Sequence, residues 1–186
     1  MPDWMPPWGT TALIAIVTSL LTLIVSGRYV SPLLEVRNRR FQAKMQARER
    51  FQADMLTIMS ATTRLLATPI PAETTDALRA ALREERLRWR AQIDDATKHL
   101  TDHFEEVAFS FAQSRALTET AVRYSGTARM VWISDRAEDR KLNALRDTTQ
   151  HCHALFFDGP LYLVQRARAG RELERLLDEL ESPPDP

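Results

Sequence analysis

The sequence predicts an all-α protein, with a single N-terminal transmembrane helix followed by an elongated antiparallel three- or four-helix bundle. Three observations lead to this fold class. Apolar residues recur at every third or fourth position over long stretches, which is typical of amphipathic helices. The 186 residues include only five glycines, which argues against a turn-rich β fold. One stretch near the N-terminus is uncharged and long enough to cross a bilayer.

The transmembrane helix is predicted over residues 9–30, behind a short exterior N-terminus of residues 1–8. No charged residue occurs in 9–27, and about 20 apolar residues are enough to cross the hydrocarbon core. Trp8 and Tyr29 flank this run, where aromatic rings prefer the headgroup level. A cleaved signal peptide would need a basic N-terminal region and a small-residue cleavage site. The sequence has neither, so the run is interpreted as an anchor.

The segment that follows the apolar run is basic and predicts the orientation. Residues 28–50 carry seven basic and two acidic side chains, a net charge of +5. Because Lys and Arg next to a membrane span stay in the cytoplasm, the N-terminus is predicted outside the cell membrane and the helical domain in the cytoplasm. Basic side chains beside a bilayer also attract anionic lipid. The residues predicted to contact lipid headgroups are Arg28, Arg37, Arg39, Arg40 and Lys44; alternatively, these charges serve only as topology determinants.

Small residues recur at helical spacing along one side of the apolar run. They are Thr11, Ala15, Thr18 and Thr22. Small side chains let helices approach closely in lipid, so this stripe is predicted to mediate self-association into a homo-oligomer. The alternative is that the hydroxyl groups bond back to the backbone of a monomeric helix.

The helical bundle domain is predicted over 31–181, followed by a disordered tail of residues 182–186. Its first helix is expected over 32–67, with Ser31 as the cap and Pro32 at the first helical position. Its heptad-like apolar seam, which includes positions 52, 55, 59, 62 and 66, is weak at its start and stronger from residue 55 onward.

Three further helices are predicted beyond the proline-containing segment at 68–73. The second runs from about residue 74 to 112. The third, over 114–157, has a heptad pattern that includes Ala121, Tyr124, Leu142 and Cys152; Asp135 and Glu138 interrupt this pattern, and Ser125-Gly126 is a candidate position for a bend or split. A short fourth helix follows Asp158-Gly159-Pro160, with the apolar residues Leu161, Leu163 or Val164, Leu173 and Leu177 among others. Short connections between long helices favour antiparallel packing. The heptad-like spacing favours coiled-coil packing.

Four residues that are able to bind a metal fall on one face of the second helix: Asp95, His99, His103 and Glu106. An i, i+4 histidine pair presents two nitrogen ligands to Zn²⁺, so these residues form a candidate zinc site. The alternative is that the histidines are satisfied by neighbouring carboxylates. A second cluster, 151–153, reads His-Cys-His.

This architecture is compatible with three functions. The leading one is a membrane-anchored interaction or scaffold module of a bacterial cell, oligomeric, that recruits a cytoplasmic protein partner to the lipid bilayer. The second is a pore-forming, lysis or toxin-like protein, and the third is a metal-dependent enzyme or sensor that uses His99 and His103. Nucleophile and phosphate-loop motifs are absent, so no catalytic residue is predicted. The formal charge of zero gives no basis for a nucleic-acid partner.

Overall fold

The computed structural model describes residues 7–25, 31–69 and 75–182. Over these ranges the chain forms helices and no strand, so the all-α prediction is confirmed. The α-helices are α1 (Pro7–Val25), α2 (Ser31–Ala67), α3 (Asp76–Asp102), α4 (Phe104–Ser110), α5 (Arg115–Ile133), α6 (Glu138–Phe157) and α7 (Leu163–Glu181), with a 3-10 turn at Pro160–Tyr162. The chain divides into two compact units, Met1–Ala43 and Lys44–Pro186.

The first unit contains α1 and the beginning of α2. Among the helices that the structure describes, none has the length and apolar composition needed to cross a membrane. The transmembrane prediction over 9–30 therefore rests on the sequence. Most of the predicted exterior segment, residues 26–30 and the end of the predicted tail lie outside the described residues.

In the second unit, α2 and α3 run in opposite directions. Arg86, in the first half of α3, donates hydrogen bonds to the carbonyls of Leu65 and Thr68 at the end of α2, both at 2.9 Å. Arg48 of α2 donates to the carbonyl of Ser110 at the end of α4. The two contacts lie at opposite ends of the helix pair, so α2 is antiparallel to α3 and α4.

The remaining helices continue this alternation. Glu138, at the start of α6, accepts hydrogen bonds from Arg90 of α3, and Arg136 donates to the carbonyl of Leu180 near the end of α7. At the opposite end, Phe51 of α2 meets Phe156 of α6 edge-on, with ring centroids 5.6 Å apart. The second unit is thus an antiparallel bundle that the chain crosses five times. The five crossings are α2, α3 together with α4, α5, α6 and α7.

The bundle has an entry end and a far end. The entry end is the end where the chain enters the second unit at Lys44; it includes residues 109–111, residues 156–157 and the turn before α7. The far end includes Thr68, Arg86, residues 134–138 and Leu180.

All five crossings contribute side chains to one hydrophobic core. Tyr124 is its largest fully buried side chain, and its hydroxyl shares a hydrogen bond of 2.8 Å with Thr149, so the ring is buried without an unsatisfied polar atom. The other buried apolar residues include Phe51, Met55, Ile58, Leu65, Ile93, Leu100, Val107, Phe111, Ala128, Val131, Leu142, Leu145, Cys152, Leu173 and Leu177.

The predicted single helix over 114–157 is wrong, because the chain breaks between Ile133 and Glu138. Ser134 and Ala137 have extended backbone conformations. Glu138 and Asp139 occupy the first turn of α6, where negative charge is favoured by the helix dipole. The predicted apolar stripe nevertheless continues on both sides of the break.

Three other details of the predicted helices are also wrong. The second predicted helix is interrupted at His103, between α3 and α4. The seam of α2 is displaced by one residue at most positions, since Phe51, Ile58 and Leu65 are buried rather than residues 52, 59 and 66. In the last helix, Leu173 and Leu177 are buried as the pattern predicts, whereas the apolar residues of 161–164 are exposed.

Candidate functional site

A groove of about 420 Å³ lies on the surface of the second unit between α5 and the end of α7. Its floor and walls are largely apolar, and its charged residues stand at the rim. The lining residues are Val122, Arg123, Gly126, Thr127, Met130, Val131, Ser134, Arg136, Leu180 and Glu181.

Gly126 keeps the groove open in the middle of α5. A Cβ atom added at this position would meet no heavy atom within 4 Å. Glycine inside a helix is less stable than alanine by roughly 0.5–1 kcal/mol, and here no close contact requires it. The effect of the missing side chain is therefore to leave space that a larger residue would fill.

The charges at the rim are paired with one another. Arg123 donates hydrogen bonds to both carboxylate oxygens of Glu181, at 2.8 and 2.7 Å, and also bonds Asp178. Thr127 donates to Glu181 at 3.1 Å. The hydrogen bonds from Arg123 lower the pKa of Glu181, and donating them to Glu181 and Asp178 raises the pKa of Arg123. Because these charges are engaged with each other, the groove favours an apolar ligand at its centre.

The apolar surface continues along α5 beyond the floor of the groove. Met130 is 66% exposed and Ile133 is 56% exposed. The two residues are three apart, on neighbouring positions of one helix face. A groove between two helices with an apolar strip of this kind suits the apolar face of an amphipathic helix.

The predicted zinc-site histidines each contact one carboxylate. His99 donates from Nδ1 to Asp54 of α2 at 2.6 Å, and His103 Nδ1 lies 3.3 Å from Glu106 Oε1. The two imidazole rings lie 4.4 Å apart between centroids. This geometry corresponds to the alternative in which neighbouring carboxylates satisfy the histidines.

The fourth predicted ligand, Asp95, is exposed on α3. The carboxylate that contacts His99 comes instead from Asp54, on another helix, and burial raises the pKa of Asp54 while its hydrogen bond with His99 opposes that shift. In the described part of the chain, no group of three or more His, Cys, Asp or Glu side chains is arranged to hold a metal ion. The zinc site stays a prediction.

The second histidine cluster surrounds a core residue. Cys152 is fully buried and free, and burial raises the pKa of its thiol well above its ordinary value, which makes it an inert thiol. His153 Nε2 lies 3.4 Å from Gln52 Nε2. These contacts are structural.

In the first unit, the described residues of the small stripe in α1 are exposed. Thr18 donates to the carbonyl of Ile14, and Thr22 donates to that of Thr18 at 2.8 Å. These two hydroxyls are therefore satisfied within their own helix. Close approach of a second helix at Thr11, Ala15, Thr18 and Thr22 stays a prediction.

The residues predicted to contact lipid are exposed or half-buried where the structure describes them. Arg28 lies outside the described residues. Arg37, Arg39 and Arg40 are exposed, and Arg39 pairs with Glu35 one turn earlier in α2. Lys44 is half-buried and lies over the ring of Phe109, 5.0 Å from its centroid.

A scan against protein-family models, a search of curated proteins and a search of solved structures each find no match for this chain.

The sequence gives little indication of the α5–α7 groove. Val122, Gly126 and Met130 fall between the heptad positions that form the core, where residues are usually solvated. Gly126 was interpreted as the position of a bend in the helix. Only the packing of α7 against α5 turns these residues into one surface.

Proposed function

We propose that the protein is a membrane-anchored helical interaction module that binds an amphipathic helix of a protein partner in the α5–α7 groove. The observation that carries this proposal is the groove itself. Its centre is apolar, Gly126 leaves it open, and the rim charges of Arg123 and Glu181 are paired. When a partner helix buries apolar side chains in the groove, the binding free energy becomes more favourable by about 25 cal/mol per Å² of apolar surface removed from water.

The anchor is proposed from the sequence. Residues 9–27 carry no charge, and most of them form the helix α1. The basic segment 28–50 supports a location of the bundle on the cytoplasmic side of the cell membrane. The stripe of small residues in α1 supports a homo-oligomer, in which several grooves are held side by side.

Site-specific photocrosslinking in cells tests the groove. The full chain carries a photoreactive phenylalanine analogue in place of Met130, and a matched chain carries it in place of Leu56, an exposed residue of α2. We expect a discrete crosslinked species in the membrane fraction from position 130 and not from position 56. Gly126→Leu, which fills the open space, should reduce the crosslink at least tenfold.

Two results would overturn this function. One is the absence of a discrete crosslink at position 130. The other is a crosslink that persists unchanged when Gly126→Leu fills the groove. Circular dichroism of the purified Gly126→Leu chain checks that its helices are retained, and Gly126→Ala provides a smaller filling change with the same expected direction.

The two other functions stay predictions. For the pore-forming or lysis function, growth arrest on expression that is lost when the stripe at Thr18 and Thr22 is disrupted would support it. For the metal-dependent function at His99 and His103, elemental analysis of the purified chain decides it.

A further inference from the structure

Four consecutive apolar residues are exposed where the turn Pro160–Tyr162 leads into α7. Leu161 is 94% exposed, Leu163 67% and Val164 82%, with Tyr162 half-exposed between them. Single exposed apolar residues are common on protein surfaces. A run of four is uncommon unless the surface has a function.

This run lies at the entry end of the bundle. It follows α6, whose last residues Phe156 and Phe157 pack against Phe51 of α2, with ring centroids 5.6 and 6.3 Å away. Phe109, at the end of α4, is also partly exposed at this end. Lys44, where the chain enters the bundle, lies over the Phe109 ring.

Basic residues precede this end along one side of α2. Arg37, Arg40 and Lys44 recur at spacings of three and four, which places them on one helical face. The acidic residue next to the exposed run is Asp158, which is only half-buried and can stay in water at the headgroup level. Within the second unit, Lys44 lies at the same end as the exposed run. Exposed apolar side chains together with basic residues are the combination that binds anionic membrane surfaces.

We propose that the entry end of the bundle rests on the membrane surface, with the side chains of Leu161, Leu163 and Val164 inserted at the boundary between headgroups and acyl chains. This inference rests on the proposed membrane anchor and adds a second contact with the same bilayer. Tyr162 suits the interface, because its ring is apolar and its hydroxyl is polar.

Fluorescence quenching in reconstituted vesicles tests the contact. The full chain is made as Leu163→Cys or Ile133→Cys and labelled with an environment-sensitive nitrobenzoxadiazole dye. Both positions are exposed apolar residues of similar size, one at the entry end and one at the far end. Cys152 is fully buried and stays in place, and the unsubstituted chain checks that it is not labelled. The vesicles contain phosphatidylcholine and phosphatidylglycerol at three to one, with or without lipid that carries a nitroxide on its acyl chain.

We expect the nitroxide lipid to quench the dye at position 163 at least threefold more than the dye at position 133. Equal weak quenching at both positions, in a chain that floats with the vesicles, would overturn the inference and leave the anchor intact. A chain that does not float with the vesicles would overturn the anchor and the inference together. A blue-shifted but unquenched dye at position 163 would assign this surface to a second copy of the chain and would also overturn the inference.

Discussion

The two ends of the bundle differ in the kind of side chain that covers the core. The far end is closed by charged side chains: Glu138 accepts hydrogen bonds from Arg90 and pairs with Arg86, and Arg136 bonds a carbonyl of α7. The entry end is closed by aromatic rings, with Phe51 at the centre of contacts to Phe111, Phe156 and Phe157. It also carries the exposed run 161–164.

The two ends of the bundle are therefore chemically different. At the far end the charged side chains are paired with one another or bonded to the backbone, and the apolar Ile133 is exposed there at the edge of the groove. The entry end leaves the longer apolar run 161–164 uncovered, so water is a poor environment for it. The orientation that we propose for the bundle at a membrane therefore rests on its end residues rather than on its core.

The largest expected effect is at the centre of the entry end. Phe51→Ala should lower the free energy of unfolding by about 3–5 kcal/mol, because it removes a buried ring and leaves a cavity. Leu163→Ala, at the same end, should change it by less than about 0.5 kcal/mol, because this side chain is exposed. Urea unfolding followed by circular dichroism measures both, and a loss at Leu163 comparable with that at Phe51 would mean that the exposed run is part of the core.

A smaller decrease in the free energy of unfolding is expected when Trp89, near the far end, is replaced. Trp89 is only half-buried against the core, so the loss of 3–5 kcal/mol expected for a fully buried indole does not apply to it. Trp89→Ala should cost about 1–2 kcal/mol, part of the free energy of burying a large side chain. The same urea experiment measures this change. If Trp89→Ala lowers the free energy of unfolding as much as Phe51→Ala does, the two ends do not differ in this respect.

A gain in stability is expected in the groove. Gly126→Ala should raise the free energy of unfolding by about 0.5–1 kcal/mol, because alanine is the better helix former and its Cβ meets open space. Gly170→Ala is the matched control, since there the added Cβ lies 3.4 Å from Leu155 and has less room. A destabilised Gly126→Ala chain would show that the groove is narrower than described.

The smallest effect concerns pH. The hydrogen bonds from Arg123 lower the pKa of Glu181 in the folded chain, so this pair stabilises the fold above the pKa of the unfolded glutamate, near 4.5. The contribution is lost as the pH falls through the lower folded value. Because both side chains are partly exposed, it amounts to less than about 1 kcal/mol. Glu181→Gln should therefore make unfolding less dependent on pH in the acid range, and an unchanged acid profile would contradict the pairing.

The helical class and much of the core follow from the sequence. Ala121, Tyr124, Leu142 and Cys152 all lie on the stripe that the heptad pattern predicts, and all are buried. The heptad pattern does not predict the break at 134–137. Buried residues keep the same seven-residue spacing before and after this four-residue turn, so the pattern resembles that of one continuous helix. The polar residues Asp135 and Glu138 interrupted the pattern there, and they mark the turn itself.

The candidate sites were harder to predict, since they depend on packing between distant segments. Asp54 and His99 are 45 residues apart, and no spacing rule connects them. The groove needs α7 beside α5, with Glu181 facing Arg123. The sequence does not predict the exposure of 161–164. The apolar residues at the start of the last helix have the same spacing as those further along it, so the pattern predicts burial for both.

The central proposal is that the predicted transmembrane helix over 9–30 anchors this bundle in a membrane, and carbonate extraction followed by flotation tests it most directly. Membranes from cells that express the full chain are washed at alkaline pH and floated through a density gradient. The control chain carries Val17→Arg and Leu21→Arg, each of which costs roughly 2.5–3.5 kcal/mol in a membrane-spanning helix. We expect the full chain to float with lipid after the wash and the double variant to remain in the soluble fraction with its helical content unchanged. Release of the unsubstituted chain by carbonate, to the same extent as the variant, would contradict the account.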